Sequence, residues 1–311
     1  DGRFMATGST DDRIRLFGNS SSTPLWTYNT GSDVKSVSAS RDGGTIAVAN
    51  DGGKLMVFNS TGDQPEWTFS TGSAINSVAV SQDGEYVVAG RSNGQVYLFS
   101  RDSNVPVWNY GTGNSVTAVA ISGDGSYMTV GSSNKRVYLF EKDDSTPLWN
   151  YTTGGEVYTV AISADGEYIV AGSEDNNIYL FDKDSSTPLW KYTTGGDVRS
   201  VAISADGEHI TVGSEDYKVY LFDKNSSTPL WNYTTFTYVN SVAISSDGEY
   251  IVTGTSSSRI YLFHKNSGTP LWTYIADSSP NGVTSIAISA DGEYFVSSIF
   301  NVPPTFIFIV E

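Results

Sequence analysis

The sequence has no cysteine, so neither disulfides nor thiolate metal sites are available to it. It is poor in basic residues, with 18 Lys and Arg against 34 Asp and Glu, a formal net charge of -16 and a pI near 4.4. A surface that acidic repels nucleic acid and anionic lipid, so neither is expected as a partner. Long apolar runs are missing too. The most apolar stretch, Phe306 to Val310, is one strand's worth, and no membrane span is expected. The two histidines, His209 and His264, fall in different strands of different repeats, which argues against a histidine metal pair. What remains is the composition of a folded protein, 39% hydrophobic and 13% aromatic.

Periodicity dominates what is present. The tryptophans stand at Trp26, Trp67, Trp108, Trp149, Trp190, Trp231 and Trp272, every interval being 41 residues. An Asp-Gly pair precedes each by 25 residues, and a further pair, Asp291-Gly292, follows a three-residue insertion near Asp277 to Asn281. Repetition of this kind leaves no room for a linker, so residues 1–311 read as one repeat domain.

One unit, from Val157, reads VYTVAISADGEYIVAGSEDNNIYLFDKDSSTPLWKYTTGG. Val157 to Ser163 is nearly continuous apolar, as a strand buried on both faces would be. Asp165-Gly166 is expected to supply the positive-φ positions of a hairpin, followed by a second strand from Tyr168 to Gly172. Asp175-Asn176 is the next turn, and Ile178 to Phe181 the third strand. After Pro188, Leu189 to Thr193 alternates as a half-exposed outer strand does. No window carries a 3.6-residue period. Four antiparallel strands per 41 residues, the inner most apolar and the outer most polar, predict an all-β β-propeller, with the tryptophans wedging each outer strand against the neighbouring blade.

The stretch SVAISADGEYIVAGSEDNNIYLFD resembles the repeat of WD-type propellers, without the Gly-His dipeptide and with Phe where that family has Trp-Asp. The stretch IYLFDKDSSTPLWKY resembles the PQQ-like repeat, in which an Asp precedes a docking Trp by eight residues. Asp182 and Asp223 stand so before Trp190 and Trp231, and Thr61-Gly62 is placed correctly before Trp67. Other repeats carry Gly18, Asn59, Ser100, Glu141 and His264 at the Asp position. The resemblance spans the chain and implies a propeller; its likeness to prokaryotic surface repeat proteins, archaeal ones among them, also implies an extracellular or cell-surface location.

Inner strands number seven, outer strands seven and the two middle strands eight. Seven blades are favoured, the inner strand near Ile286 closing against the N-terminal three; the alternative is eight, with one strand missing from each terminal blade. Either count leaves strand edges that are templates for association.

Chemistry has little to stand on. The PQQ-like resemblance would imply a quinoprotein oxidoreductase, but no calcium site, quinone pocket or vicinal cysteines can be recognised, and no cofactor or metal is expected. SADGEY is similar to the sialidase Asp-box but has the wrong Asp-Gly spacing. The carboxylate pairs Asp11-Asp12, Glu174-Asp175 and Glu215-Asp216 sit where Asn93 and Asn134 stand in other repeats, so they read as turn residues rather than as an acid–base pair. The acidic turns Asp165-Gly166-Glu167, Asp206-Gly207-Glu208 and Asp247-Gly248-Glu249 read as solvated surface. Sequons at Asn19, Asn59, Asn150, Asn225 and Asn232 permit glycosylation.

The functional signal is contrast among otherwise similar repeats. Residues flanking the first Val of each inner strand vary widely: Glu156 and Tyr158, Asp197 and Arg199, Tyr238 and Asn240, with Tyr217 and Phe236 adding aromatics. Propeller geometry would gather them at the mouth of a central channel, with Tyr158, Arg199 and Tyr238 as anchors. The expectation is a non-enzymatic interaction scaffold binding a protein or other partner there. The alternative is a self-assembling structural subunit, joined to copies of itself through its terminal blades.

Overall fold

The computed structural model describes residues 2–276 and 282–299 and the backbone of 307–309. Among these residues there is no helix, and the strands form eight separate antiparallel sheets. Six have four strands in sequence order. The first, Phe4–Gly8, Arg13–Gly18 and Trp26–Asn29, and the last, Val283–Ile288, Tyr294–Ile299 and Ile307–Ile309, have three. The seven-blade expectation required the Ile286 strand to complete the N-terminal sheet; instead Val283–Ile288 pairs with Tyr294–Ile299 and begins a sheet of its own. The insertion at 277–281 and most of the apolar C-terminal stretch lie outside the described residues.

Two compact units divide the chain at Val157/Tyr158, Gly2 grouping with the second. Within each, the sheets stack face to face with their inner strands side by side. The stacking is close because the second strand carries glycine where the next sheet presents a valine. A Cβ at Gly90 would overlap Val116 Cγ1, and one at Gly213 would overlap Val239 Cγ1. Both valines are fully buried. The inner strand's valine N–H, which points away from its own sheet, is satisfied from the sheet before. Val78 N–H donates to Ser36 Oγ (3.1 Å), Val119 N–H to Ser77 Oγ (3.1 Å) and Val242 N–H to Ser200 Oγ (3.1 Å).

The burial gradient differs from the sequence expectation. The middle strands are the buried ones, as in Tyr168–Ser173 and Asn177–Asp182, while the inner strand Val198–Ile203 alternates between buried and part-exposed positions. Middle strands are flanked on both edges and covered on both faces; the inner strand is a sheet edge bearing small Ser and Ala side chains, which leave part of it uncovered.

The tryptophans join sheet to sheet. Trp190 packs on Phe222 with centroids 5.4 Å apart and donates Nε1–H to Lys224 O (2.7 Å); Trp231 does the same with Phe263 (5.2 Å) and Lys265 O (2.7 Å). Trp26, Trp67 and Trp108 repeat the pattern in the first unit, on Phe58, Phe99 and Phe140 and the carbonyls of Ser60, Arg101 and Lys142. Trp272 stacks on Phe295, and Trp149 begins its own outer strand at the equivalent position.

The first hairpin turn is built differently from expectation. Only the glycine takes a positive φ, 74° at Gly207 and 78° at Gly166, and the aspartate does not. Its carboxylate instead closes the turn: Asp206 Oδ1 accepts from Ser204 Oγ–H (2.6 Å) and Glu208 N–H (3.0 Å). A short carboxylate satisfying local donors holds the loop without needing a left-handed backbone of its own.

Candidate functional site

The varying residues of the second unit lie at the end of the sheets where inner and third strands begin, on a scaffold set by two devices. One is the turn between second and third strands, whose left-handed position falls at Asp12, Gly53, Gly94, Lys135, Asn176, Tyr217 and Ser258. Small or Asx residues suit it; a tyrosine at φ 69° does not, and costs on the order of 1 kcal/mol. The other is a threonine that follows the outer strand, at Thr30, Thr71, Thr112, Thr153, Thr194 and Thr235. Thr235 Oγ1 lies 2.8 Å from Tyr217 O and 2.7 Å from Thr237 O, tying the loop to the turn, as Thr194 does with Asn176 O and Gly196 O.

On this framework three aromatic side chains stand in solvent. Phe236 is 67% exposed, Tyr217 and Tyr238 each 44%. Tyr217 and Tyr238 meet at 5.3 Å between centroids, and the Arg259 guanidinium lies 4.2 Å above the Phe236 ring. Arg259 pairs across the ladder with Ile275, itself 54% exposed, which extends the apolar surface. In the earlier repeats the place of Phe236 is held by glycine: Gly31, Gly72, Gly113, Gly154 and Gly195.

Beside it is a charged cluster. Arg199 Nε–H donates to Glu215 Oε1 (2.7 Å), its Nη2 lies 3.3 Å from Asp197 Oδ2, and its guanidinium sits 4.3 Å from the Tyr158 ring centre. Partial burial, with the carboxylates of Glu215 and Glu174 close by, pushes the Asp197 carboxyl above its usual range despite Arg199. With Asp197 and Glu215 against the one guanidinium and Glu174 near Asp197, the cluster is acidic.

The remaining candidates separate. Asn240 Nδ2–H donates to Val283 O of the next sheet (3.0 Å); Asn76 and Thr117, at the equivalent place, bind Val116 O (2.8 Å) and Val157 O (2.5 Å). That position fastens sheets together, so Asn240 is a structural joint. Glu156 is half-buried and belongs to the first unit. Sequence reasoning missed Arg259 and Ile275, whose type alone gave no signal, and assigned Glu215 only to its turn. In the pairs, Asp216 Oδ1 accepts from Lys218 N–H (3.0 Å) and Oδ2 from Tyr220 Oη–H (2.5 Å), and Asp175 does the same with Asn177 and Tyr179. Burial and the Asp216 carboxylate together push the Tyr220 phenol well up. Of the sequons, Asn150, Asn225 and Asn232 are exposed; Asn19 and Asn59 are half-buried, and Asn59 Oδ1 accepts from Thr61 Oγ1–H (2.6 Å). His264 Nε2 lies 3.1 Å from Glu249, and no group of three or more metal-ligating side chains is found among the described residues.

A family model described as outer membrane protein assembly factor BamB matches residues 10–164, 92–245 and 133–297. These overlapping matches cover most of the chain and follow the same four-stranded repeat that the sheets display. The chain belongs to the PQQ-like β-propeller repeat family. No curated protein matches it. Within this PQQ-like repeat protein, the aromatic surface is a local departure from a repeat that carries no aromatic residue at the same points in the earlier units.

Proposed function

We propose that the protein is a non-enzymatic interaction module whose partner, a protein, docks on the surface formed by Tyr217, Phe236, Tyr238 and Arg259, flanked by Tyr158 and Arg199. The observation that carries this reading is Tyr217. A bulky side chain is held in a left-handed turn position and set against exposed Tyr238, an arrangement that costs stability and adds no buried core. Aromatic and arginine side chains on rigid loops are the residues from which binding hot spots are built. Enzymatic chemistry has no comparable support: the carboxylates of the turns are engaged with local donors. The matched family takes its description from assembly of outer-membrane proteins, and a role in assembling other proteins, outside the cytoplasm, fits a surface of this kind. Eight sheets of one repeat favour eight blades over seven.

The test compares affinity capture by the wild-type chain and by the Tyr217→Ala/Phe236→Ala/Tyr238→Ala variant, after circular dichroism establishes that both fold. A partner retained by the wild type and lost by the variant supports the reading. Identical capture by the two sinks it.

A further inference from the structure

The aromatic surface lacks one carboxylate that the preceding repeats possess. The third strand of successive sheets bears a tyrosine whose hydroxyl is met by a side chain just upstream. Tyr97 Oη accepts from Arg91 Nη1–H (2.8 Å), and Tyr138 Oη from Asn134 Nδ2–H (2.7 Å). Tyr179 and Tyr220 donate to Asp175 Oδ2 (2.6 Å) and Asp216 Oδ2 (2.5 Å). Tyr261 is next in the series. It is 1% exposed, and its hydroxyl makes no hydrogen bond of normal geometry. The cause lies in the turn, where Ser257 stands at the place of Asp175 and Asp216. The Ser257 hydroxyl is itself engaged, by Thr237 Oγ1–H (3.1 Å) and Thr255 Oγ1 (3.2 Å). The groups that act on the Tyr261 hydroxyl are donors, the Arg259 guanidinium and the Phe236 backbone N–H, so its own proton is what lacks an acceptor. Burial pushes this phenol up, which keeps the proton in place.

Arg259 is in the same condition. Its guanidinium lies 4.2 Å from the Phe236 ring centre and takes part in none of the ion pairs among the described residues. Arg199, stacked in the same way on Tyr158, is held by Glu215 (2.6 Å) and Asp197 (3.3 Å). One absent carboxylate thus leaves two donors waiting, a buried hydroxyl and a half-buried guanidinium, and buried donors are ordinarily satisfied.

We propose that the partner supplies this carboxylate. Resting on the docking surface proposed above, the inference specifies a protein segment with a single Asp or Glu flanked by apolar or aromatic residues. Its carboxylate accepts from Arg259 and from Tyr261 Oη–H, and its apolar neighbours lie on Phe236, Tyr238 and Ile275. Phe236 is 67% exposed and can turn aside to admit the carboxylate. Charge-assisted hydrogen bonds to a guanidinium are the strong ones, so this contact fixes register while the rings supply contact area. A run of acidic residues is disfavoured, because Asp197, Glu215 and a net charge of -16 repel it.

The probe is a phage-displayed library of random dodecapeptides, selected on the immobilised full chain. Parallel selections use Ser257→Asp and the Tyr217→Ala/Phe236→Ala/Tyr238→Ala variant. The wild type should enrich peptides with one Asp or Glu beside aromatic or aliphatic residues. By fluorescence anisotropy, changing that acid to its amide in an enriched peptide should weaken binding about tenfold, and Arg259→Gln in the protein should remove the difference. Ser257→Asp restores the carboxylate within the chain, so it should raise the urea midpoint and cancel the acidic preference while apolar preference remains. Enriched peptides without an acid, or an acidic preference that survives both Ser257→Asp and Arg259→Gln, overturn the proposal and leave the docking surface standing. No enrichment on the wild type, or the same peptides enriched on the triple-alanine variant, removes the docking surface itself and this proposal with it.

Discussion

Replacing Gly213 by alanine tests the account of how the sheets stack. The new Cβ would overlap Val239 Cγ1 and lie 3.1 Å from both Val239 Cβ and Val242 Cγ1. Carbon pairs sit comfortably at about 3.5–4.0 Å, so the overlap must be relieved by a shift on the order of 1 Å. Val239 is fully buried and Val242 is 5% exposed, so neither can swing into solvent. Overpacking of this sort costs about 1–3 kcal/mol, partly offset by about 0.4–1 kcal/mol because alanine restricts the unfolded chain. Gly213 has no positive φ, so the backbone adds nothing. A net loss of about 1–2 kcal/mol is expected. Val239→Ala by itself should cost about 2 kcal/mol through the cavity it leaves. In the double variant the Val239 Cγ1 that the new Cβ would meet is gone, so it should be more stable than additivity requires by about 1 kcal/mol. Urea unfolding followed by tryptophan fluorescence measures all three, with Trp231 and Trp272 in the same unit as reporters. If the double variant equals the sum of the singles within about 0.5 kcal/mol, the glycine is not there to admit the valine, and the packing argument fails.

Tyr217→Gly should raise stability by up to about 1 kcal/mol, since glycine tolerates the φ of 69°, while weakening partner capture; a variant that loses stability would refute the strain argument. Trp231→Phe keeps a ring against Phe263 but loses the bond to Lys265 O, and should cost about 1 kcal/mol by urea titration, the same change at Trp190 giving a similar value. Hydrogen bonds from Ser40 Oγ and then Gly44 N–H hold the Asp42 carboxyl below its ordinary value of 3.8, so its contribution is present in full above that pH and is lost as pH falls through the lower folded value. Ser40→Ala should flatten that part of the stability–pH curve below pH 4; an unchanged acid limb counts against the turn.

How far the sequence could be read depends on whether a property repeats. The strand order, the hairpin glycines and the tryptophan spacing recur every 41 residues, and a period of that length with four short strands admits few architectures. The aromatic residues of the second unit were legible for the opposite reason, as breaks in the pattern at Tyr217, Phe236 and Tyr238. Their companions were not. Arg259 begins a third strand at a position held elsewhere by ordinary polar residues, and only the fold brings its guanidinium over Phe236. Asn240 looked like one more variable rim residue, yet its amide is committed to Val283 O, a carbonyl 43 positions away.

By itself, then, the amino-acid sequence determined the all-β class, the repeat length and which residues depart from it, because these follow from side-chain period and turn chemistry within a few tens of residues. Tertiary structure decided the rest. It put the deepest burial in the middle strands, gave the terminal strands two three-stranded sheets, and separated joints such as Asn240 from exposed rings such as Phe236. Each of those outcomes depends on what the next sheet places opposite a residue, and that is a property of stacking rather than of local sequence.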